Sequence, residues 1–260
     1  MTTHPALAIP DLADKAVLIT GASTGIGAAL ARVFAAQGAK VGLHYNSSIE
    51  AAEKLRDEIT GAGGTVLLVK ADATRSGEMG RIVEETASAF GHLDGLINNA
   101  GGMVARLSYE NMTDAHYEAV MDLNGRSVLA ASAAAIPHLK RQGGFIINTT
   151  SIAARNGASN GAGIYGSSKA FIANVTRGMA KELIQFDIRV NAVAPGVILT
   201  AFHDRYSTQS QMDAMLAGIP QGRFGTPDDC IGAYLFLASK LLSGYVIGQT
   251  IEVNGGQLMP

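Results

Sequence analysis

Cysteine occurs once in the 260 residues, at Cys230, so no intrachain disulfide can form and CxxC-type metal frameworks are absent. One thiol suits a reducing compartment, and the expected location is the cytoplasm. Charge is also scarce. Asp, Glu, Lys and Arg make up 16% of the chain, and 20 basic against 22 acidic residues leave a net charge of −2. With no basic cluster, nucleic-acid and anionic-lipid partners are not expected. No apolar run approaches the roughly 18–20 residues of a membrane helix, so no membrane association is expected either. Residues 1–14 carry Pro5 and Pro10 but no basic stretch or sustained apolar core, so they read as a loose arm and not as a secretory signal. The six histidines show no metal-ligand spacing, and no catalytic metal is expected.

Apolar residues, by contrast, make up 47% of the chain, and there are 31 glycines. That content can bury a large core and excludes disorder for most of the chain. Apolar runs of strand length stand at 16–19, 41–45, 65–69, 93–97, 145–147, 188–193 and 250–253. They are too continuous for strands with one wet face and fit a parallel sheet covered on both sides. Helix-length segments rich in Ala, Glu and Leu lie between them, among them 26–37, 49–60, 78–90 and 165–186. The alternation predicts an α/β fold over 15–260, a single doubly wound, Rossmann-type parallel sheet of about seven strands. Residues 200–226 break the rhythm, with only a weak helical pattern at 212–217. A stretch of that length suits a substrate lid.

After the first strand the chain reads Thr20, Gly21, Ala22, Ser23, Thr24, Gly25, Ile26, Gly27. A dinucleotide site needs a tight strand-to-helix turn whose backbone can approach a pyrophosphate at a helix N-terminus. The spacing is G-x-x-x-G-x-G, and on glycine spacing alone a plain turn with helix–sheet packing also accounts for it. At the end of the second strand come Tyr45, Asn46, Ser47 and Ser48, with no acid before Glu50. An Asp or Glu there would grip the ribose 2′-hydroxyl of NAD, whereas hydroxyl and amide donors suit the 2′-phosphate of NADP. An ordinary polar loop with a capping Ser is the other reading. Tyr165 and Lys169 stand four apart on one helix face. A cation one turn away can lower a Tyr pKa from about 10 toward neutrality, making it a general acid or base. Ser151 precedes the same helix, where its hydroxyl can meet a substrate oxygen or cap a turn.

Taken together the chain resembles the short-chain dehydrogenase/reductase family, on the side of the 3-oxoacyl-[acyl-carrier-protein] reductases and related ketoreductases. The resemblance runs from Lys15 to Gly256 through TGASTGIG at 20–27, Asp72, NNAG at 98–101, Asn124, Ser151, Tyr165 with Lys169, PGVILT at 195–200, GRFGTPDD at 222–229 and VNGG at 253–256. It implies hydride transfer between nicotinamide and a carbonyl or carbinol carbon. Tyr165 would exchange the proton with the substrate oxygen, Ser151 would polarise that oxygen, Lys169 would bond the nicotinamide ribose, and Asn124 would hold a relay water. It further implies that Gly21, Ser23, Thr24, Ile26 and Gly27 surround the pyrophosphate and ribose. Asp72 and Ala73 would meet the adenine, Asn99, Ala100 and Gly101 its ribose side, and Pro195, Gly196, Ile198 and Thr200 the nicotinamide. Asn98 reads as structural, tying neighbouring strands. Members of this kind are usually homotetramers, packing helices near 113–141 and 164–186 across one two-fold axis.

Three departures stand out. The loop between Ser151 and Tyr165 is slightly longer than is common, Thr24 occupies the place of a basic residue found in NADP-preferring members, and Gly125 follows Asn124 where a larger apolar residue is usual. The first expectation is therefore an NADP(H)-dependent ketoreductase. An NAD-dependent dehydrogenase of a small alcohol, polyol or sugar stands as the alternative, and a non-catalytic nucleotide-binding regulator as the second. Arg106 and Arg155 border the expected substrate pocket and read as solvated surface residues, or else as ligands for a substrate carboxylate or phosphate.

Overall fold

The computed structural model describes residues 8–259. Seven strands form one sheet in the order β3-β2-β1-β4-β5-β6-β7. They are β1 (Ala16–Ile19), β2 (Lys40–Tyr45), β3 (Thr65–Lys70), β4 (Gly95–Asn98), β5 (Gly144–Thr149), β6 (Ile188–Pro195) and β7 (Thr250–Val253). Every pairing is parallel. β1, β4 and β6 are buried along their whole length; β1 is wholly apolar, while the buried Asn98, Arg189 and Asn191 of β4 and β6 are hydrogen-bonded.

Helices cover both faces. α1 (Gly25–Ala36), α2 (Ile49–Gly61) and α10 (Pro227–Ala238) bury Leu30, Phe34, Leu55 and Tyr234 on one side. On the other, α3 (Glu78–Phe90), α5 (Ser127–Leu139) and α7 (Gly163–Leu183) bury Ile82, Ala131, Ala135 and Leu183. α4 (Asp114–Met121) runs into α5 through a π-helical turn, Asp122–Arg126, that contains Asn124 and Gly125. Such turns insert one extra residue and re-aim a side chain, often at a functional site. Short α6 (Ala153–Asn156) and α11 (Lys240–Ser243) complete the set with α8 (Ala201–Tyr206) and α9 (Gln209–Ala217).

Two expectations need correction. The arm is not loose over 8–14: Ile9 and Leu12 are buried, and Asp11 accepts bonds from the Ser239 hydroxyl at 2.8 Å and the Leu241 N–H at 3.1 Å. Burying two aliphatic side chains stabilises docking by about 1.5–3 kcal/mol each. Residues 1–7 lie outside the described residues. The stretch after Thr200 holds two helices instead of one weak one, because Thr200 caps α8 and Thr208 forms a capping box with Gln211 at the start of α9.

The sheet order reverses direction between β1 and β4, so the connections leaving their carboxyl ends diverge. The crevice they leave is where doubly wound sheets bind ligands.

Candidate active site

The glycine turn and the NNAG segment meet across that crevice. The Thr20 hydroxyl accepts the N–H groups of Asn99 and Ala100 at 2.9 Å each, and the Asn99 amide donates to the carbonyls of Thr20 and Gly21 at 3.0 Å each. Glycine is required at both ends of the turn. A side chain on Gly27 would begin 2.2 Å from the Gly21 carbonyl oxygen, and one on Gly21 would begin 2.9 Å from the Ala100 Cα. No side chain caps the N-terminus of α1, so its first-turn N–H groups are left for an anion. A cleft of about 500 Å³ runs along that end, between Ser23, Thr24 and Gly25 and the facing Leu199, Thr200 and Thr226.

His44 lies under the turn and was not anticipated as a site residue. Its Nδ1 accepts the Gly21 N–H at 3.0 Å, and its Nε2 bonds the Ala71 carbonyl at 3.1 Å. An acceptor at Nδ1 means a neutral ring with the proton on Nε2. Burial holds its pKa below the ordinary 6.5, and the nearby Arg81 charge acts the same way.

Ser151, Tyr165 and Lys169 come together at the carboxyl ends of β5 and β6. Lys169 is buried, and its Nζ donates to the Thr149 carbonyl at 2.9 Å and lies 5.9 Å from the Tyr165 ring centre. Burial lowers its pKa to about 8. Burial raises the Tyr165 pKa, and the Ser151 hydroxyl acts against that rise. The phenol is thus protonated at neutral pH. Asn124 is fully buried. Its amide donates to the carbonyls of Gly102 at 2.8 Å and Val120 at 2.9 Å, and its Oδ1 accepts the Gly102 N–H at 3.1 Å. Both of its amide hydrogens are therefore taken, which leaves only acceptor capacity for a water. A side chain on Gly101 would begin 2.7 Å from Asn124 Oδ1 and 2.9 Å from Lys169 Nζ, so glycine is what lets these three segments converge.

Some expected contacts are redirected. The Tyr45 ring and the Ile198 side chain belong to the core, so at those positions only backbone atoms face the crevice, and Asn46 and Ser47 are the exposed groups at the β2 end. The Asp72 carboxylate turns back on the Thr74 hydroxyl at 2.7 Å and its N–H at 3.0 Å, which lowers its pKa. Ala73 is buried beside it. Pro195 accepts the Ile152 N–H at 2.9 Å, Gly196 donates to Val253 at 2.8 Å, and the Thr200 methyl lies where a side chain on Gly25 would begin, 3.1 Å away. Asn98 bonds Ser132 at 3.1 Å and Asn148 at 2.9 Å inside the core, the structural role read from the sequence.

Arg155 is exposed, as the surface reading expected, whereas Arg106 is half-buried. Arg155 pairs with Glu252 at 2.9 Å, and Arg106 donates to the carbonyls of Tyr206 and Asn160. Over the site, Phe202 of α8 lies 5.6 Å from the Tyr165 ring centre, with Tyr206 5.0 Å beyond it.

A family model described as Enoyl-(Acyl carrier protein) reductase matches residues 21–257. The chain belongs to the short-chain dehydrogenase/reductase family. The family is one of oxidoreductases acting on carbonyl and carbinol groups. Among relatives, the chain is 36% identical to a 3-oxoacyl-[acyl-carrier-protein] reductase of Synechocystis, over 95% of this chain and 98% of that one. The NADH-dependent reductase A1-R′ complexed with NAD is 41% identical and superposes with a TM-score of 0.87, covering 97% of this chain and all of that one. A short-chain dehydrogenase from Burkholderia cenocepacia in complex with NADP is 32% identical with a TM-score of 0.89, over 95% and 98% of the two chains.

As a short-chain dehydrogenase/reductase, the protein has a crevice whose chemistry fits a nicotinamide dinucleotide: uncapped N–H groups for the pyrophosphate and glycines that keep its wall bare. Among the described residues no His, Cys, Asp and Glu cluster could hold a metal ion, and no helix is long and apolar enough to cross a membrane.

Proposed function

We propose that this protein is an NADP(H)-preferring reductase of ketones, running in reverse as a secondary-alcohol dehydrogenase. The reading rests chiefly on the protonated Tyr165 phenol beside Ser151, with the buried Lys169 ammonium one turn behind it. Tyr165 donates its proton to the substrate oxygen, Ser151 donates a hydrogen bond that polarises the same oxygen, and Lys169 holds a ribose hydroxyl while fixed by Thr149. The hydride for the carbonyl carbon would come from a nicotinamide held in the crevice. Asn124 fixes the 101–102 backbone against Lys169 and offers an acceptor to a relay water. A non-catalytic regulator has no use for this arrangement.

NADP(H) is favoured by the exposed donors Asn46 and Ser47 and by the lack of an acid before Glu50. NAD(H) is the second reading, favoured by the lack of Lys or Arg at the β2 end and by the NADH-dependent relative A1-R′. Small alcohols, polyols and sugars are the matching substrates for that reading. A cytoplasmic homotetramer is the proposed state, supported by exposed Tyr117, Leu129 and Phe171 on α4, α5 and α7, and a monomer in light scattering overturns it.

The test is initial-rate turnover over a panel of ketoesters, small alcohols, polyols and one enoyl thioester, each with both cofactors. Ketoester reduction with NADPH above NADH is expected. No turnover and no cofactor binding contradicts the assignment.

A further inference from the structure

Arg106 sits a few residues beyond NNAG and is half-buried, yet it has no carboxylate partner among the described residues. Its Nε donates to the Tyr206 carbonyl at the C-terminal end of α8. Nη1 donates to the Asn160 carbonyl at 3.0 Å, and Nη2 reaches the Ser207 hydroxyl at 3.5 Å. One guanidinium therefore joins the NNAG-proximal loop, the long loop before α7 and the lid. The loop side is fixed independently by the Leu107 N–H bond to the Gly161 carbonyl at 3.0 Å. On the lid side the contact is to the end of a helix, where carbonyls lack intrahelical partners and a cation is favoured.

The helix held in this way carries the aromatic cover of the site. Phe202 and Tyr206 both lie on α8, and the Tyr206 hydroxyl comes 3.8 Å from where a side chain on Gly102 would begin. Phe202 borders the Tyr165 ring at 5.6 Å. Apart from Arg106, few polar contacts hold α8: Thr200 caps it locally, and His203 bonds Ser207 at 3.1 Å within the same segment. No residue of α8 is fully buried, so packing alone holds it weakly.

We propose that Arg106 is a positioning residue that latches the lid: through the Tyr206 carbonyl it holds Phe202 over Tyr165 and so sets substrate access and fit. A residue read from sequence as a surface cation or substrate-anion ligand thus acts on the protein's own backbone. Phe202 and Tyr206 give the lid an aromatic face beside Tyr165. The inference rests on the reductase reading, and its test keeps the two apart.

The experiment compares wild type, Arg106→Met and Arg106→Lys. It follows amide hydrogen exchange over 201–207 with NADPH present, NADPH affinity by fluorescence, and steady-state reduction of ethyl acetoacetate. Met keeps the aliphatic stem and removes every donor. The expected result is exchange over 201–207 about ten-fold faster, KM raised about ten-fold, kcat within about three-fold, and NADPH affinity unchanged. Arg106→Lys, which can restore one bond, falls between. Unchanged exchange and unchanged KM in Arg106→Met overturn the latch. So does a parallel loss of NADPH affinity, kcat and Tm, which marks a merely structural residue. If wild type binds NADPH but reduces no ketone, the reductase reading fails and the exchange measurement still decides the latch.

Discussion

The backbone N–H of Gly21 donates to Nδ1 of His44 at 3.0 Å. This bond ties the turn that should cradle a pyrophosphate to the end of β2, and the Nε2 bond to Ala71 carries the tie on to β3. It exists only while the ring is neutral, because a protonated His has no acceptor. The folded-state pKa is lowered from 6.5, so the contribution is fully present above 6.5 and is lost as pH falls toward the folded value. NADPH affinity measured by fluorescence from pH 8 to 5 is expected to weaken below that point. His44→Phe should flatten the dependence and weaken binding about ten-fold at pH 8, the worth of one hydrogen bond.

Gly27→Ala tests the turn itself. Its Cβ would begin 2.2 Å from a backbone oxygen of the same turn, an overlap that cannot be relieved by rotating a side chain. Overpacking of this kind costs about 1–3 kcal/mol, so thermal denaturation should show a Tm a few degrees lower. Calorimetric titration should show nicotinamide-dinucleotide binding lost in a protein that still folds.

Much of this was legible in the chain. Mainly apolar runs marked all seven strands, since most side chains of a covered parallel sheet face a core, and the ends of β1 and β7 match those runs residue for residue. Motif order brought Ser151, Tyr165 and Lys169 forward. What stayed hidden depends on contacts between distant segments. Nothing local distinguishes His44 from its neighbours in β2, and an Arg106 whose partners lie 54 and 100 residues away has no periodic signature. Alternation along β2 places Tyr45 on the core face with Val41 and Leu43, which the strand-end reading overlooked. The burial of Ile9 and Leu12 was masked by Pro5 and Pro10, read as marks of a loose arm.

The pH profile of catalysis should be set by Lys169. Its ammonium form is present below about 8 and is lost above, while Tyr165 stays protonated because burial raises its pKa. Reduction of ethyl acetoacetate, followed as kcat/KM, should therefore be level below about pH 8 and decline above it. Alcohol oxidation, which needs the Tyr165 proton removed, should increase with pH. Lys169→Met should lose about 100-fold in kcat and with it the alkaline decline.

Cofactor choice should be movable at the β2 end. A carboxylate at position 46 would repel a 2′-phosphate and accept a bond from a 2′-hydroxyl. Asn46→Asp is expected to shift the ratio of kcat/KM for NADPH over NADH by about ten-fold or more toward NADH. Ser47→Arg should shift it the other way, and initial rates with both cofactors at limiting concentration measure the change.

The central claim is that Tyr165 transfers the proton in a nicotinamide-dependent carbonyl reduction. The direct measurement is NADPH consumption with ethyl acetoacetate by wild type and Tyr165→Phe, with NADPH affinity determined in the same samples. Removing only the hydroxyl should lower turnover by about 10²–10⁴-fold and leave affinity within about three-fold. Turnover equal to wild type in Tyr165→Phe would contradict the account.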